Sequence, residues 1–262
     1  FKEAREEAKD IRYPIVVKPW RGFGGAGLRK AEDSVELKLV FREASRIDKR
    51  VLIQKYIKGT HASASMISSI NGAVTLTLNE QLIGRRELGQ REPFGYCGNV
   101  VPLSAPRKVV DECKSVVERV SRHFCLVGSN GVDLVISKEG VPYVVELNPR
   151  FQGTLECVER VLGVNLVVAH AEACIEEELP RVDCEPFSFC ARLILFAPKR
   201  LTVPDLSIFE EARDIPLPSV IVERGEPLCS IVAEDSDRGS LLGRMAETAK
   251  AIQNSCCDAT CR

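Results

Sequence analysis

Gly131-Val132-Asp133-Leu134-Val135-Ile136-Ser137-Lys138-Glu139-Gly140-Val141-Pro142-Tyr143-Val144-Val145-Glu146-Leu147-Asn148 is the stretch that constrains the molecule most. Two apolar, β-branched runs flank Glu139-Gly140, which reads as a hairpin. With a two-residue turn, Lys138 pairs with Val141, and counting outward sets Asp133 opposite Glu146. A turn one residue longer shifts that register. Cross-strand neighbours have Cβ atoms about 5 Å apart. Two carboxylates so placed among valines and leucines repel unless a cation lies between them or one stays protonated. Asn148, two residues past Glu146, projects from the same face. Two carboxylates and an amide oxygen suit a hard cation such as Mg²⁺, which also takes water and substrate phosphates. The competing reading makes Asp133 and Glu146 solvent-facing charges on a strand edge. The apolar flanks and the continuing cluster Asn148-Pro149-Arg150 argue against it.

Upstream, Trp20-Arg21-Gly22-Phe23-Gly24-Gly25-Ala26-Gly27 places four glycines in six positions, after a strand Ile15-Val16-Val17-Lys18. Glycines let backbone N–H groups turn toward phosphate oxygens without a Cβ in the way, and the Lys18 ammonium can meet the same phosphates. No Gly-Lys-Ser/Thr follows, so this is not a P-loop. No helix starts in the loop and no ribose-binding acid is evident, so it is not a dinucleotide fingerprint. Taken alone, the loop fits a flexible hairpin tip equally well.

The other elements follow from periodicity. Residues 2–11 form a charged helix with Ala4, Ala8 and Ile11 on one face, ended by Pro14. Asp33 or Ser34 caps a second helix whose apolar positions are Val35, Leu39, Ala44 and Ile47. A strand covers 51–54, before a turn at Lys58-Gly59. Strands over 62–69 and 73–79 meet at Asn71-Gly72, a hairpin signal. Residues 84–100 read as an ordered polar loop, and 107–124 as a helix with Val109, Val110, Cys113, Val116, Val117 and Val120 on its apolar side. Helices fill much of 154–177. Strands at 190–196, 220–223 and 228–233 and a helix near 237–253 close the chain. No repeat or low-complexity segment interrupts this order.

The two chemical clusters, taken together and in this order, resemble the ATP-grasp superfamily, which includes biotin carboxylase, carbamoyl phosphate synthetase and D-alanine–D-alanine ligase. The match runs from Tyr13 to Arg150. Pro14–Pro19 resembles the strand with the phosphate-binding lysine, here Lys18. Gly22, Gly24, Gly25 and Gly27 belong to what resembles the mobile loop over the phosphates. Gln54, Lys55, Tyr56 and Ile57 resemble the interlobe segment whose backbone reads adenine. Asp133, Glu146 and Asn148 match the metal ligands in type, order and spacing, and Arg150 matches the arginine that steadies phosphoryl and acyl oxygens. There are departures. Gln54 stands where the family usually has Glu, though Gln can still accept the adenine amino group. His61 stands where Glu often holds the ribose, and either loses that contact or makes it with an imidazole. An earlier phosphate-binding lysine normally lies upstream of residue 1. More narrowly, Gly131–Val135, Glu146–Glu156 and Phe94–Asn99 resemble a predominantly archaeal group of predicted ATP-dependent carboligases, related to a branch that includes tyramine–glutamate ligase.

The resemblance implies an α+β, ATP-grasp fold: two α+β lobes with antiparallel sheets clasping ATP, plus a C-terminal α/β extension that completes the sheet or forms an interface. The expected units are 1–57 (small lobe), 58–180 (large lobe) and 181–262 (extension), with an N-terminal α/β domain missing from this chain, whose first residue is Phe1. It implies ATP and Mg²⁺ (or Mn²⁺) as cofactors, with Lys18 and Arg150 catalytic. The reaction it implies activates a carboxylate as an acyl phosphate for attack by an amine or similar nucleophile. A kinase and a non-catalytic ATP-binding module are the rival readings. Arg85, Arg86 and Arg91 either meet a substrate anion or form a solvated loop. Glu156 and Glu159 either face the acceptor or are ordinary first-turn residues. His123 and His170 read as surface or satisfied core residues.

Composition bounds the remaining possibilities. The 262 residues are 45% hydrophobic and 28% charged, with a formal net charge of −1. Nothing here favours nucleic acid or an anionic membrane as partner, and no apolar run approaches a membrane span. The resemblance implies small-molecule carboxylate and nucleophile substrates, a cytoplasmic setting is expected, and a homodimer is possible. Eleven cysteines, mostly scattered, with Cys113, Cys125 and Cys174 in apolar or helical contexts, suit reduced, buried thiols. The tail Cys256-Cys257-x-x-x-Cys261 reads as a frayed terminus, or else as a metal or redox site.

Overall fold

In the first strand, Ile15, Val17 and Pro19 are buried while Val16 and Lys18 face the other way, toward an open cleft. That alternation organises the N-terminal part of the chain, for which the computed structural model describes residues 1–181 and 186–258 of the whole. Helix α1 (Lys2–Ile11) is followed by β1 (Ile15–Pro19), β2 (Arg29–Ala31), α2 (Ser34–Ile47) and β3 (Val51–Lys55), and the three strands form an antiparallel sheet in the order β2-β1-β3. The short β2 has no counterpart in the periodicity. Ala8, Ile15, Val17, Ala31, Leu37 and Ala44 make this lobe's core. Asp33 caps α2, its carboxylate accepting from the N–H groups of Val35 (2.7 Å) and Glu36 (2.9 Å).

The buried face of α2 differs from the expected one. Of the expected positions Ala44 is buried but Val35, Leu39 and Ile47 are exposed; Leu37 is buried instead, and Val40 and Phe41 pack beside it. Both sets recur at helical spacing. Only the position of the sheet selects one of them.

The second sheet has eight strands, in the order β11-β13-β9-β6-β5-β4-β7-β8, all pairs antiparallel. Strands β4 (Gly59–Ser69), β5 (Gly72–Ile83), β6 (Tyr96–Val101), β7 (Gly128–Ser137) and β8 (Pro142–Asn148) come from the middle of the chain. Helix α3 (Arg107–His123) lies between β6 and β7, and α4 (Leu155–Leu162) and α5 (Leu166–Ile175) follow β8. The C-terminal part then adds β9 (Phe189–Phe196), β10 (Leu201–Thr202), β11 (Ala212–Arg213), β12 (Ile221–Val222), β13 (Pro227–Asp235), α6 (Arg238–Ser255) and β14 (Cys257–Asp258). Within this stretch β9, β13 and β11 extend the large sheet, while β10, β12 and β14 form a small separate one.

Alternation again assigns the faces. On β4, Ala62, Ala64 and Met66 pack against Cys113 and Val117 of α3. Ser63 and Ser65 lie on the opposite face, where Ser63 borders the cleft and Ser65 shares a 2.8 Å hydrogen bond with Thr154. The expected loop over 84–100 holds a 3₁₀ turn (Arg86–Leu88) and ends in strand β6. At the first hairpin the connecting residues are Ile70 and Asn71, with Gly72 already paired to Ser69. Cys113 is buried, but Cys125 and Cys174 are exposed, contrary to the expectation for these thiols. Cys257-Asp258 pairs with β10, so the chain is not frayed up to that point; Cys261 lies outside the described residues. Among the described residues, no helix is long and apolar enough to cross a membrane.

The two candidate faces of α2 give different mutational outcomes. Leu37→Ala should cost about 2–4 kcal/mol through lost packing and the cavity left behind, whereas Leu39→Ala should stay within about 0.5 kcal/mol of wild type. Urea unfolding of both variants checks this, and equal losses would contradict the observed face.

Candidate active site

The hairpin β7–β8 carries the acidic pair by a route that simple counting misses. Its turn is one residue longer than expected: the Ser137 N–H donates to Val141 O (2.9 Å) and the Gly140 N–H to Ser137 O (3.0 Å), so Ile136 pairs with Pro142 and Leu134 with Val144. Continued without interruption, that register would set Val145 opposite Asp133. A bulge between Asp133 and Leu134 leaves Val145 as the extra residue and restores Asp133 to its place opposite Glu146. Bulges re-aim side chains at sites of this kind. Asn148 then pairs with Gly131, two rungs further along the sheet and so on the same face as Glu146.

Asp133 is mostly buried. Burial, and after it the neighbouring Glu146 carboxylate, pushes its carboxyl up to about 6, against the opposing effect of hydrogen bonds from Gln81 and Asn148 and the charge of Arg150. Glu146, on the edge strand β8, is exposed. Among the described residues, no group of three or more His, Cys, Asp or Glu side chains gathers as a metal site. The cluster here has two carboxylates and an amide, and Asp133 bears an electrostatic cost that a divalent cation would remove. That donor set fits Mg²⁺ or Mn²⁺ whose remaining ligands are water and phosphate. The Arg150 guanidinium donates to Asn148 Oδ1 (3.2 Å) and to Phe151 O (3.0 Å), and the Gln152 amide donates to Asn148 O (3.2 Å) and Arg150 O (2.5 Å). The segment after β8 is thereby tied to the last residue of the acidic cluster.

These residues form one wall of a cleft of about 790 Å³ between the two sheets. Lys18, Gly22, Gly24 and Gly25 border it from the small lobe, Gln54, Lys55, Tyr56 and Ile57 from the connection between lobes, and His61, Asp133, Glu146, Asn148 and Arg150 from the large sheet. Of the residues that the resemblance assigns to nucleotide, metal or catalysis, Gly27 is the one not brought to the cleft. A Cβ there would lie 2.3 Å from Ile47 Cδ1 and 3.2 Å from Pro19 Cγ, so Gly27 serves packing at the root of the loop. Burial holds His61 below the usual imidazole range, which favours its neutral form. Lys30, on β2, sits 4.3 Å from the centroid of the Tyr56 ring.

The floor of the cleft holds residues that sequence reasoning left out. Asn79 donates to Ser65 Oγ (3.0 Å) and Ser63 Oγ (3.4 Å), Asn99 donates to Ser63 Oγ (3.3 Å), and the Tyr96 hydroxyl donates to Asn99 Oδ1. Burial raises the Tyr96 phenol well above its ordinary range, so it stays protonated. The available signal was alternation: in His61-Ala62-Ser63-Ala64-Ser65 the second face of a core strand is polar, and a buried polar face needs partners or a ligand. The remaining candidates lie elsewhere. Arg85, Arg86 and Arg91 are exposed. Glu156 pairs with Arg160 (2.6 Å), and Glu159 accepts from the Leu166 N–H (2.7 Å). His170 Nδ1 accepts from the Ser129 N–H (2.9 Å), a satisfied structural histidine.

Residues 2–154 match the family model described as the ATP-grasp domain. An uncharacterized protein of Methanocaldococcus jannaschii is 28% identical over 222 residues, which cover 84% of this chain and 51% of that protein. The biotin carboxylase of Campylobacter jejuni, solved as a β-γ-ATP complex, superposes with a TM-score of 0.74 at 17% identity, covering 98% of this chain and 60% of that one. The L-amino acid ligase of Bacillus licheniformis gives a TM-score of 0.73 at 16% identity over 94% and 64%. The chain thus spans about half the length of its curated relative and under two thirds of these structures.

The charge at Asp133 makes a signed prediction for the metal-free chain. A raised carboxyl pKa means that native stability is lost as pH rises from the ordinary carboxylate range, near 4, through about 6. Asp133→Asn should therefore stabilise the metal-free protein by on the order of 2 kcal/mol at pH 8, a gain that shrinks toward zero at pH 4. Thermal melts across that range check it; a gain that grew on acidification would contradict the assignment.

Proposed function

Because this chain belongs to the ATP-grasp family, we propose that it is the Mg-ATP-binding part of a ligase that activates a carboxylate as an acyl phosphate for attack by an amine or similar nucleophile. The observation that carries this reading is the facing of Lys18 and the glycine loop, across one cleft, toward Asp133, Glu146, Asn148 and Arg150. Among the solved structures with this fold are a biotin carboxylase and an L-amino acid ligase, which supports ligation over simple phosphotransfer.

Each residue has a task set by its position. Backbone N–H groups of Gly22, Gly24 and Gly25 and the Lys18 ammonium receive the phosphates, and the backbone of Lys55–Ile57, with the Gln54 side chain, receives the adenine. Asp133, Glu146 and Asn148 would hold the Mg²⁺. When bound, the metal neutralises phosphate charge and orients the phosphoryl group. The Arg150 guanidinium lies beside that cluster and would hold the oxygens of the acyl phosphate, where charge develops during transfer. Closure of the glycine loop excludes water, which would otherwise hydrolyse the activated carboxylate. Small-molecule carboxylates and nucleophiles are the proposed partners.

Incubation of the full-length protein with Mg-ATP and fractionated cell extract, followed by phosphorus NMR, tests the proposal. ADP and free phosphate should appear only with certain fractions, and Glu146→Gln or Lys18→Ala should lower the rate about 100-fold or more. A stable phosphoester without free phosphate would identify a kinase. AMP with pyrophosphate would sink the acyl-phosphate route, and tight ATP binding with no turnover in any fraction would favour a non-catalytic module.

A further inference from the structure

We infer that the segment 84–95 is the seat on which the glycine loop closes, and that Glu92 is the residue that positions the loop there. The loop has little else to hold it. Phe23 at its tip is 89% exposed, and no heavy atom comes within 4 Å of a Cβ built on Gly24. Its inner hydrogen bonds are two turns, from the Ala26 N–H to Phe23 O (3.1 Å) and from the Leu28 N–H to Gly25 O (3.2 Å).

Across the cleft, three different contacts meet it. The Tyr96 N–H donates to Gly24 O at 3.0 Å. Gly25 lies against the backbone of Phe94 so closely that a Cβ would be 1.9 Å from the carbonyl oxygen; at φ +79° the position already disfavours any other residue. Arg29, just past the loop, pairs with Glu92 at 2.5 Å and with Glu43 of α2 at 3.4 Å. One guanidinium therefore joins the helix of the small lobe to the seat on the large sheet.

The seat is built to stay in place. The buried Gln90 amide oxygen accepts from the N–H groups of Arg91 (2.9 Å) and Glu92 (3.0 Å), and the Gly84 N–H donates to Gly95 O (2.7 Å). Leu88 is anchored in the core shared with β9 and β13. Glu92 is thus presented from a hydrogen-bonded turn on the large sheet, while its partner Arg29 belongs to the small lobe that carries the loop. Tyr96 links the two events: its N–H holds the loop, and its hydroxyl donates to Asn99 in the cleft floor. Contents of the floor and position of the loop are coupled through one residue. The catalytic meaning of that coupling, exclusion of water from an activated carboxylate, rests on the function proposed above; the seat itself does not.

Limited chymotrypsin digestion of the full chain without nucleotide reads the loop directly, by the rate of cleavage after Phe23. Glu92→Gln should be cleaved about threefold faster than wild type, as expected when a partly buried ion pair that restrains a loop is lost. Arg29→Gln should do the same, and the double variant should be cleaved no faster than either single one. Glu92→Asp should restore part of the protection. A melting temperature unchanged by Glu92→Gln would separate a loop effect from general destabilisation. Cleavage of Glu92→Gln at the wild-type rate, or a double-variant effect equal to the product of the singles, would overturn the inference. Adding Mg²⁺ with a non-hydrolysable ATP analogue, while following the fluorescence of Trp20, then tests the other reading on its own. A seat that responds to Glu92 with no effect of nucleotide on fluorescence or cleavage would leave this inference standing and remove the nucleotide assignment.

Discussion

Two carboxylates on one rung of an antiparallel pair are the constraint around which this molecule is organised. Asp133 is mostly buried and Glu146 is its direct neighbour, so the pair is costly when both are ionised. The sheet maintains the arrangement with a bulge at Val145, hydrogen bonds from Gln81 and Asn148 and the charge of Arg150, all within reach of Asp133. Such cost persists where the surroundings over-determine it, and sites that bind cations and phosphates are where it is useful. The position of β8 at the sheet edge leaves Glu146 open to the cleft, while β7, one strand in, shields Asp133 more from solvent where it borders that cleft.

The cleft itself follows from the separation of two sheets with different tasks. The small sheet presents one row of alternating residues, Val16 and Lys18, and a glycine loop whose tip, Phe23 and Gly24, carries little packing. The large sheet presents a polar floor whose serines, asparagines and tyrosine satisfy one another, so it remains organised without a ligand. The loop tip is thus the exposed side of the cleft, and the hydrogen-bonded floor its ordered side. The C-terminal strands contribute by extending the large sheet beyond β6 and by anchoring the turn that faces the glycine loop.

Much of this was legible because local signals agreed with one another. The acidic pair was read correctly, yet through two departures that cancel: the turn at 138–140 is one residue longer than a tight hairpin, and the bulge at Val145 removes the resulting slip. A register inferred from turn length is secure only where no bulge intervenes. Helix α2 was placed and capped as expected, but its apolar residues cover more than one face, and Val35 and Leu39 were chosen over Leu37 and Phe41. Strand β6 was concealed by the glycines and charges of the segment before it. The floor residues have no role legible in the sequence, even Tyr96 and Asn99 within Phe94–Asn99, because serine and asparagine in a strand carry no chemical signature until their neighbours are known.

By itself the sequence determined which chemistry was available and in what order: a lysine strand, a glycine loop, a hairpin with Asp, Glu and Asn at fixed spacing, and an arginine two residues on. Those are properties of residue type and short-range periodicity, which backbone geometry converts into faces and turns without reference to the rest of the fold. Tertiary structure decided which face of α2 is core, which glycine of the loop packs rather than lines the cleft, and that residues 84–95 stand opposite that loop. These depend on contacts between positions tens of residues apart, such as Arg29 with Glu92 and Tyr96 with Gly24, and no local pattern encodes a partner at that distance.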